Sequence, residues 1–165
     1  MNISVIIIEI VIMLLAFGFL VFGMLLINPL SFISDYPPEI QNTYYKSQNK
    51  EKTKEKLGLI MIVKKVLAMI VFTFVFAWMI HIAGAETFTQ GLVLSCLYIL
   101  LVTAWDTFFI DWVLFANIKR IRLPGTEHMD KEYHQKWFLV KVCIPMIPVF
   151  VVFGAVCSLV MILIW

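Results

Sequence analysis

The composition of this 165-residue chain excludes an ordinary soluble fold. Apolar residues make up 62% of it and charged residues only 15%, whereas soluble domains are about 45–50% apolar and about 25% charged. The net charge of +2 is too small to indicate a nucleic-acid partner. The length is that of one domain, and we expect that domain to be an all-α four-helix bundle in a lipid bilayer.

Four apolar stretches are long enough to cross a bilayer, since a helical span needs about 20 apolar residues. They are about 5–27, 60–83, 91–116 and 138–164. They leave connections at 28–59, 84–90 and 117–137. Asn28-Pro29 ends the first stretch, because proline cannot continue the helical hydrogen-bond ladder. This stretch is too long for a signal peptide and has no basic residue before it, so we interpret it as a retained span.

The basic residues predict how the spans are oriented. All 13 Lys and Arg residues lie between Lys46 and Lys65 or between Lys119 and Lys141. By the positive-inside rule, the first and third connections are cytoplasmic. The connection at 84–90 and both chain termini are then outside the cytoplasm.

The first connection carries a charged run, Lys46–Lys56, in which lysines alternate with Glu51, Thr53 and Glu55. We interpret this run as a topology signal for the second span. The alternative is a patch that binds anionic lipid head groups.

Three carboxylates lie within the predicted spans, where a charged group costs at least about 2.5 kcal/mol. They are Glu9, Asp106 and Asp111. At about 100° per residue, Glu9 shares a narrow stripe of the first span with Asn2, Ala16 and Gly23. Small residues on such a stripe admit another helix, so we predict that Glu9 faces the bundle. The alternative is that Glu9 is a protonated, hydrogen-bonded acid with no further role.

On the third span, Asp106 shares a polar stripe with Ser95 and Asn117. In a regular helix Asp111 lies about 140° from Asp106, so the two cannot point into one small site unless the helix is irregular. We therefore expect one carboxylate to face the bundle interior and the other to face the cytoplasmic interface. The alternative for Asp111 is an ion pair with one of the bases that follow it, Lys119, Arg120 or Arg122.

His81 lies near the outer end of the second span, and Glu86 follows in the outer connection. We predict that both lie near Glu9 on the outer side. The alternative for His81 is an edge residue that binds no ligand. The candidate residues for binding a ligand or an ion are therefore Asp106, Asp111, Glu9, His81 and Asn117.

The third connection contains a turn signal, Pro124-Gly125, followed by Thr126, a favourable helix N-cap. In a helix that starts there, Glu127, Asp130 and His134 share one face, and such a set of ligands suits a divalent metal. The alternative is a capped, salt-bridged helix start. No other cofactor is indicated.

The fourth span contains two prolines, Pro145 and Pro148, which are expected to kink its helix. The carbonyls that they free need partners, so this stretch should pack against protein or line a cavity. Further along, Gly154 and Ser158 are four residues apart and suit a close helix contact.

Two segments of the chain are similar to a known group of proteins: Trp105–Trp112 and Leu123–Glu127 (Leu-Pro-Gly-Thr-Glu). They resemble a group of small four-span bacterial membrane proteins that have an Asp-Trp near the end of span three and a Pro-Gly-Thr-Glu turn after it. The resemblance covers about residues 100–140. It implies a bacterial inner membrane, and no established activity comes with it.

These residues favour three functions, in the following order. The first is handling of a ligand, an ion or protons by Asp106, flanked by Asp111 and Glu9, in a protein that would need to form a homodimer. The second is an accessory or structural subunit that docks a membrane partner. The third is a membrane enzyme with an acid–base or metal site at the cytoplasmic interface, built from Asp111 and the three side chains of the third connection.

Overall fold

A computed structural model describes residues 1–49 and 59–165. All regular secondary structure in these two ranges is helical, which confirms the predicted all-α class for the described part of the chain. The α-helices are α1 (Ile3–Ile27), α2 (Pro38–Ser47), α3 (Leu59–Ile82), α4 (Phe88–Trp105), α5 (Asp130–Tyr133), α6 (Lys136–Cys143) and α7 (Ile147–Ile164). The segments Pro29–Asp35, Lys119–Ile121 and Ile144–Met146 are 3₁₀ helices, and Asp106–Phe115 is a π-helix.

Four helical stretches are long and apolar enough to cross a membrane. They are Ile3–Ile27, Ile62–Ile82, Phe88–Phe115 and Ile144–Ile164. The number of predicted spans is therefore matched by helices of suitable length and composition. We predicted that the charged run Lys46–Lys56 is a topology signal or a lipid patch. Most of this run, including Lys50, Lys52, Lys54 and Lys56, lies outside the described residues.

Local chemistry explains where the first helix begins and ends. The side-chain oxygen of Asn2 accepts hydrogen bonds from the backbone N–H groups of Ser4 and Val5, which α1 itself cannot satisfy. At the other end, Asn28 accepts from the backbone N–H of Leu30 at 3.1 Å. Pro29 occupies the first position of the following 3₁₀ helix, where its missing N–H costs nothing.

The described residues divide into two compact units. Those of unit 1 fall within Met1–Met13, Glu55–Leu101 and Pro145–Trp165, and those of unit 2 within Leu14–Lys54 and Val102–Ile144. Each unit has its own apolar core.

In unit 1 the core is built where α3 packs along α7 and where α4 meets α7. The contact between α4 and α7 depends on small residues. A Cβ added at Gly91 would lie 2.8 Å from Ser158 Oγ, and one added at Gly154 would lie 3.3 Å from the Cβ of Ser95. Each helix thus presents a glycine to a serine of the other, which confirms the predicted close contact at Gly154 and Ser158.

In unit 2 aromatic and aliphatic side chains share the core, and many of them come from the first and third connections. Tyr36 meets the ring of Phe115 edge-on, with ring centroids 4.8 Å apart, and the ring of Tyr133 at 6.1 Å. The hydroxyl of Tyr36 donates to the backbone oxygen of Ile121 at 2.9 Å. Burial and the neighbouring Tyr133 raise the pKa of Tyr36, so this hydroxyl remains a donor.

Three local predictions are corrected or refined. No helix starts at Thr126; the hydroxyl of this buried residue donates to the backbone oxygen of Leu123 in a turn, and α5 begins only at Asp130. No other described helix packs closely on Gly23, since a Cβ added there would meet nothing within 4 Å. The close contact on α1 is at Gly18, where an added Cβ would lie 3.2 Å from Trp105 Nε1. The prolines of span four break it into α6, a 3₁₀ turn and α7, as their missing N–H groups require.

Candidate functional site

The end of the third long helix is wound as a π-helix, and this determines where its two carboxylates point. Over Asp106–Phe115 the backbone bonds join residues five apart, for example from the N–H of Ala116 to the oxygen of Asp111. Residues five apart therefore lie one above the other, as residues four apart do in an α-helix. Asp106 and Asp111 are five apart, so the π-helix aligns them on one face.

Both carboxylates line the same cavity in unit 2, which has a volume of about 440 Å³. The prediction that they face different surroundings is therefore wrong, because it assumed the rotation of a regular α-helix. A third carboxylate, Asp35, reaches this cavity from the end of the 3₁₀ helix that follows α1. We call it the acidic cavity.

The rest of the acidic cavity is largely apolar. One wall is a stripe of α1 side chains at helical spacing, Phe17, Leu20, Val21, Met24 and Leu25. The remaining lining residues are Phe32, Ser34, Tyr36, Phe115 and Cys143. Cys143 directly precedes the proline-containing 3₁₀ turn and lies 3.7 Å from Thr107 Oγ1. Pro145 and Pro148 themselves are exposed and are not among the residues that line this cavity, so the prediction that their stretch packs against protein or lines a cavity is not confirmed.

The charged residues that line the acidic cavity all carry the same sign. Its only acidic side chains among the described lining residues are Asp35, Asp106 and Asp111. None of the described residues that line the cavity is Lys, Arg or His. The predicted partner Arg122 is buried elsewhere in unit 2, where it forms an ion pair with Asp130 at 2.6 Å. The three aspartates thus have no protein cation among the described lining residues to balance them.

Asn117, the third member of the predicted polar stripe, is not in this cavity. Its side chain is exposed and donates to the backbone oxygen of Val113 at 2.7 Å. The ten π-helical residues change the rotation between Asp106 and Asn117 relative to a regular helix, so the two no longer share a face.

Glu9 faces another helix, as predicted. It accepts a hydrogen bond from the hydroxyl of Tyr98 on α4 within unit 1. Tyr98 is fully buried and belongs to the core of that unit. Glu9 is therefore a partnered polar group, which agrees with the structural alternative considered for it.

His81 and Glu86 line a second cavity, in unit 1, of about 350 Å³. The imidazole of His81 stacks on the indole of Trp165, with ring centroids 4.9 Å apart and planes 17° apart. Glu9 is not among the residues that line this cavity. The structure thus brings together two of the three outer groups that we expected to meet.

The candidate metal ligands of the third connection have other partners. Asp130 binds Arg122, His134 Nδ1 lies 2.6 Å from the backbone oxygen of Asp130, and Glu127 accepts from the backbone N–H of Gly125. The Arg122 guanidinium lowers the pKa of Asp130, and backbone hydrogen bonds lower that of Glu127. Within residues 1–49 and 59–165, no three His, Cys, Asp or Glu side chains are grouped so that they could hold a metal.

Sequence reasoning missed two residues that the structure places beside the predicted carboxylates, Asp35 and Tyr98. Asp35 lies in a connection beside Pro37-Pro38, where a carboxylate has no cost and so raises no signal. Tyr98 is one tyrosine among many aromatic residues, and only its contact with Glu9 distinguishes it. Asp35 could have been suspected only if the connection were known to fold back onto the third span.

The fold and the site define a class, an all-α protein with four membrane-length helices and an acidic cavity. No protein-family model, curated protein or solved structure matches this chain.

Proposed function

We propose that this chain is a multi-pass membrane protein that binds a positively charged ligand or ion through Asp106 and Asp111, in a cavity that Asp35 also lines. The observation that carries this proposal is the π-helix, which puts two carboxylates of a membrane-length helix on the wall of one cavity. Intramembrane carboxylates are costly and mark pathways or sites for ions, protons or ligands.

The membrane setting rests on four helices of sufficient length and on the clustering of every basic residue between 46 and 65 or between 119 and 141, in two connections and the adjoining ends of the spans. We place these connections in the cytoplasm and the chain termini outside it. Ser34 and Asp35 belong to the first connection, so the acidic cavity would open toward the cytoplasmic half of the bilayer. The resemblance of residues 100–140 favours a bacterial inner membrane.

The chemistry of the acidic cavity favours a cation. Charged groups in an apolar environment need a partner of opposite sign, and the described lining residues supply none. A bound cation offsets this cost, and so does a proton taken up by a carboxylate. Binding is therefore linked to proton release, which is the feature that a transport or sensing role would use.

The test is to replace Asp106 and Asp111 singly with Asn and to measure cation binding by native mass spectrometry, together with thermal unfolding in detergent. We expect each variant to fold and to lose binding by about tenfold or more, because one charge–charge interaction at low dielectric is removed. Glu86→Gln is the matched control, since it removes the same charge from outside the acidic cavity. Folded variants with unchanged binding of every cation would contradict the proposal.

A second function, that of an accessory subunit, is favoured by a different observation. In unit 1 the polar and small residues serve contacts between helices, as at Glu9 with Tyr98 and at Gly91 with Ser158. If Asp106→Asn and Asp111→Asn prevent folding while the parent protein binds no cation, this second function is the better account. No contact among the described residues favours the enzyme hypothesis, because Glu127, Asp130 and His134 do not line the cavity that holds Asp111.

A further inference from the structure

The acidic cavity combines two surfaces that a simple ion site does not need. Three carboxylates lie on it, and most of its other lining residues are aliphatic or aromatic. Its volume of about 440 Å³ is within the range of about 300–1,000 Å³ found for pockets that enclose small organic molecules. A bare ion would contact only the carboxylates, whereas a ligand with an apolar part would also contact this wall.

From this combination we infer that the ligand is an organic ammonium ion that carries an apolar chain. The inference rests on the proposed cation-binding function and narrows it to one chemical class. The ammonium group would lie by Asp106 and Asp111, and the chain would lie along the α1 stripe that includes Val21 and Met24.

Aromatic rings in the cavity wall also favour an ammonium head group. The rings of Phe17, Phe32 and Phe115 line the cavity beside the carboxylates, and the faces of such rings attract organic cations. Phe115 is held in place by Tyr36, whose own hydroxyl is bonded to Ile121. This part of the wall is therefore held by contacts within the protein, and fewer side chains need to be ordered on binding.

The head group should carry no phosphate. A phosphate needs Arg or Lys, or backbone N–H groups at a helix start, whereas the described lining residues include no base. Next to three aspartates a phosphate would also be repelled. A free alkylammonium therefore fits this lining better than the zwitterionic head group of a membrane phospholipid.

The experiment uses the full-length protein in detergent and three probes, decylammonium, decanol and ethylammonium, with binding measured by native mass spectrometry. Decylammonium should bind roughly tenfold or more tightly than either of the others, because only it offers both the charge and the apolar chain. Equal binding of decanol would overturn the need for charge, and equal binding of ethylammonium would overturn the need for a chain. Displacement of decylammonium by phosphatidylethanolamine would overturn the preference for a head group without phosphate.

One matched pair of variants and one further variant locate the binding. Phe17→Leu removes a ring from the cavity wall and should weaken decylammonium binding about threefold to tenfold. Phe19→Leu removes a ring from the same helix that is 79% exposed, and it should change nothing. Val21→Phe fills the cavity and leaves the carboxylates, so it should abolish binding of decylammonium; retained binding would contradict a seat in this cavity.

The failure of this inference is distinguishable from the failure of the proposed function. If Asp111→Asn abolishes binding of Na⁺ or Ca²⁺ to a protein that does not bind decylammonium, the ammonium inference is wrong and cation binding stands. If no probe, organic or inorganic, depends on Asp106 or Asp111, both are wrong.

Discussion

At position 111 a carboxylate meets apolar side chains and two other carboxylates within one cavity. The two other carboxylates come from different parts of the chain. Asp106 comes from one turn earlier on the same π-helix, and Asp35 comes from a different part of unit 2. The repulsion among these groups is a cost to the folded protein that a bound cation or proton reduces.

Glu9 provides a contrast on the same scale. It is also a carboxylate in an apolar stretch, but it accepts a hydrogen bond from Tyr98. A polar group with such a partner needs no ligand to justify its burial. We therefore assign Glu9 to the packing of unit 1.

The ion pair between Arg122 and Asp130 predicts a dependence of stability on pH. Arg122 lowers the pKa of Asp130 below its unfolded value of about 3.9. The stabilisation is therefore complete above that value and is lost as the pH falls through the lower, folded pKa. Asp130→Asn should lower the unfolding temperature in detergent at neutral pH, and the difference from the parent protein should shrink below about pH 4.

The matched control for this prediction is Glu132→Gln, which removes a charge from the same short helix and leaves the ion pair in place. Arg122 has other partners, since it donates to the backbone oxygen of Glu127 at 2.7 Å and lies over the ring of Tyr133. These contacts do not titrate with Asp130. A difference between Asp130→Asn and the parent that stayed constant down to about pH 2 would argue against the ion pair as its cause.

At the scale of elements, the π-helix sets the direction of two carboxylates in unit 2, and the glycine contacts set how closely α4 and α7 pack in unit 1. A π-helix is rare and less favourable than an α-helix, and such segments are frequent at functional sites. Here it turns Asp106 and Asp111 to the same side. In unit 1 the corresponding device is the reciprocal packing of Gly91 on Ser158 and of Gly154 on Ser95.

Gly91→Ala is predicted to destabilise unit 1 by about 1–3 kcal/mol. Its new Cβ would lie 2.8 Å from Ser158 Oγ and 3.1 Å from Met161 Cε, so these side chains would have to shift or α4 and α7 would have to move apart. The measurement is unfolding in a denaturing detergent series. The double variant Gly91→Ala with Ser158→Gly should recover part of the loss, because it removes the atom that the new methyl group meets.

Gly23→Ala is the matched control on α1. Apart from its own stretch of α1, no described residue has an atom within 4 Å of a Cβ placed at Gly23, and alanine favours a helix over glycine by about 1 kcal/mol. This variant should be neutral or stabilising. If both alanine variants had the same effect, close packing at Gly91 would not be the reason.

At the scale of the whole molecule, the orientation in the membrane is the main prediction. In a chain whose three cysteines are replaced by alanine, single cysteines at Glu86 and Glu127 test it, since both positions are exposed. A membrane-impermeant maleimide added to intact cells should label Glu86→Cys and leave Glu127→Cys unlabelled until the membrane is opened. Equal labelling of the two in intact cells would contradict the predicted topology.

Several features of this protein follow from the sequence by itself. Apolar runs of about 20 residues predict the four long helices, because length and composition alone decide whether a helix can cross a bilayer. Prolines at 145 and 148 predict the break before α7, since proline lacks an N–H. Glu9 was correctly expected to face another helix, although Gly23, on the same predicted stripe, has no neighbour there.

The acidic cavity was decided only by the tertiary structure. Periodicity assigns a direction to each side chain by assuming a constant rotation per residue, and the π-helix over Asp106–Phe115 departs from that rotation. The approach of Asp35 depends on how a connection folds onto its unit, which no local pattern encodes. Contacts between side chains from separate segments depend on how those segments pack, and the spacing of residues along the chain does not predict them.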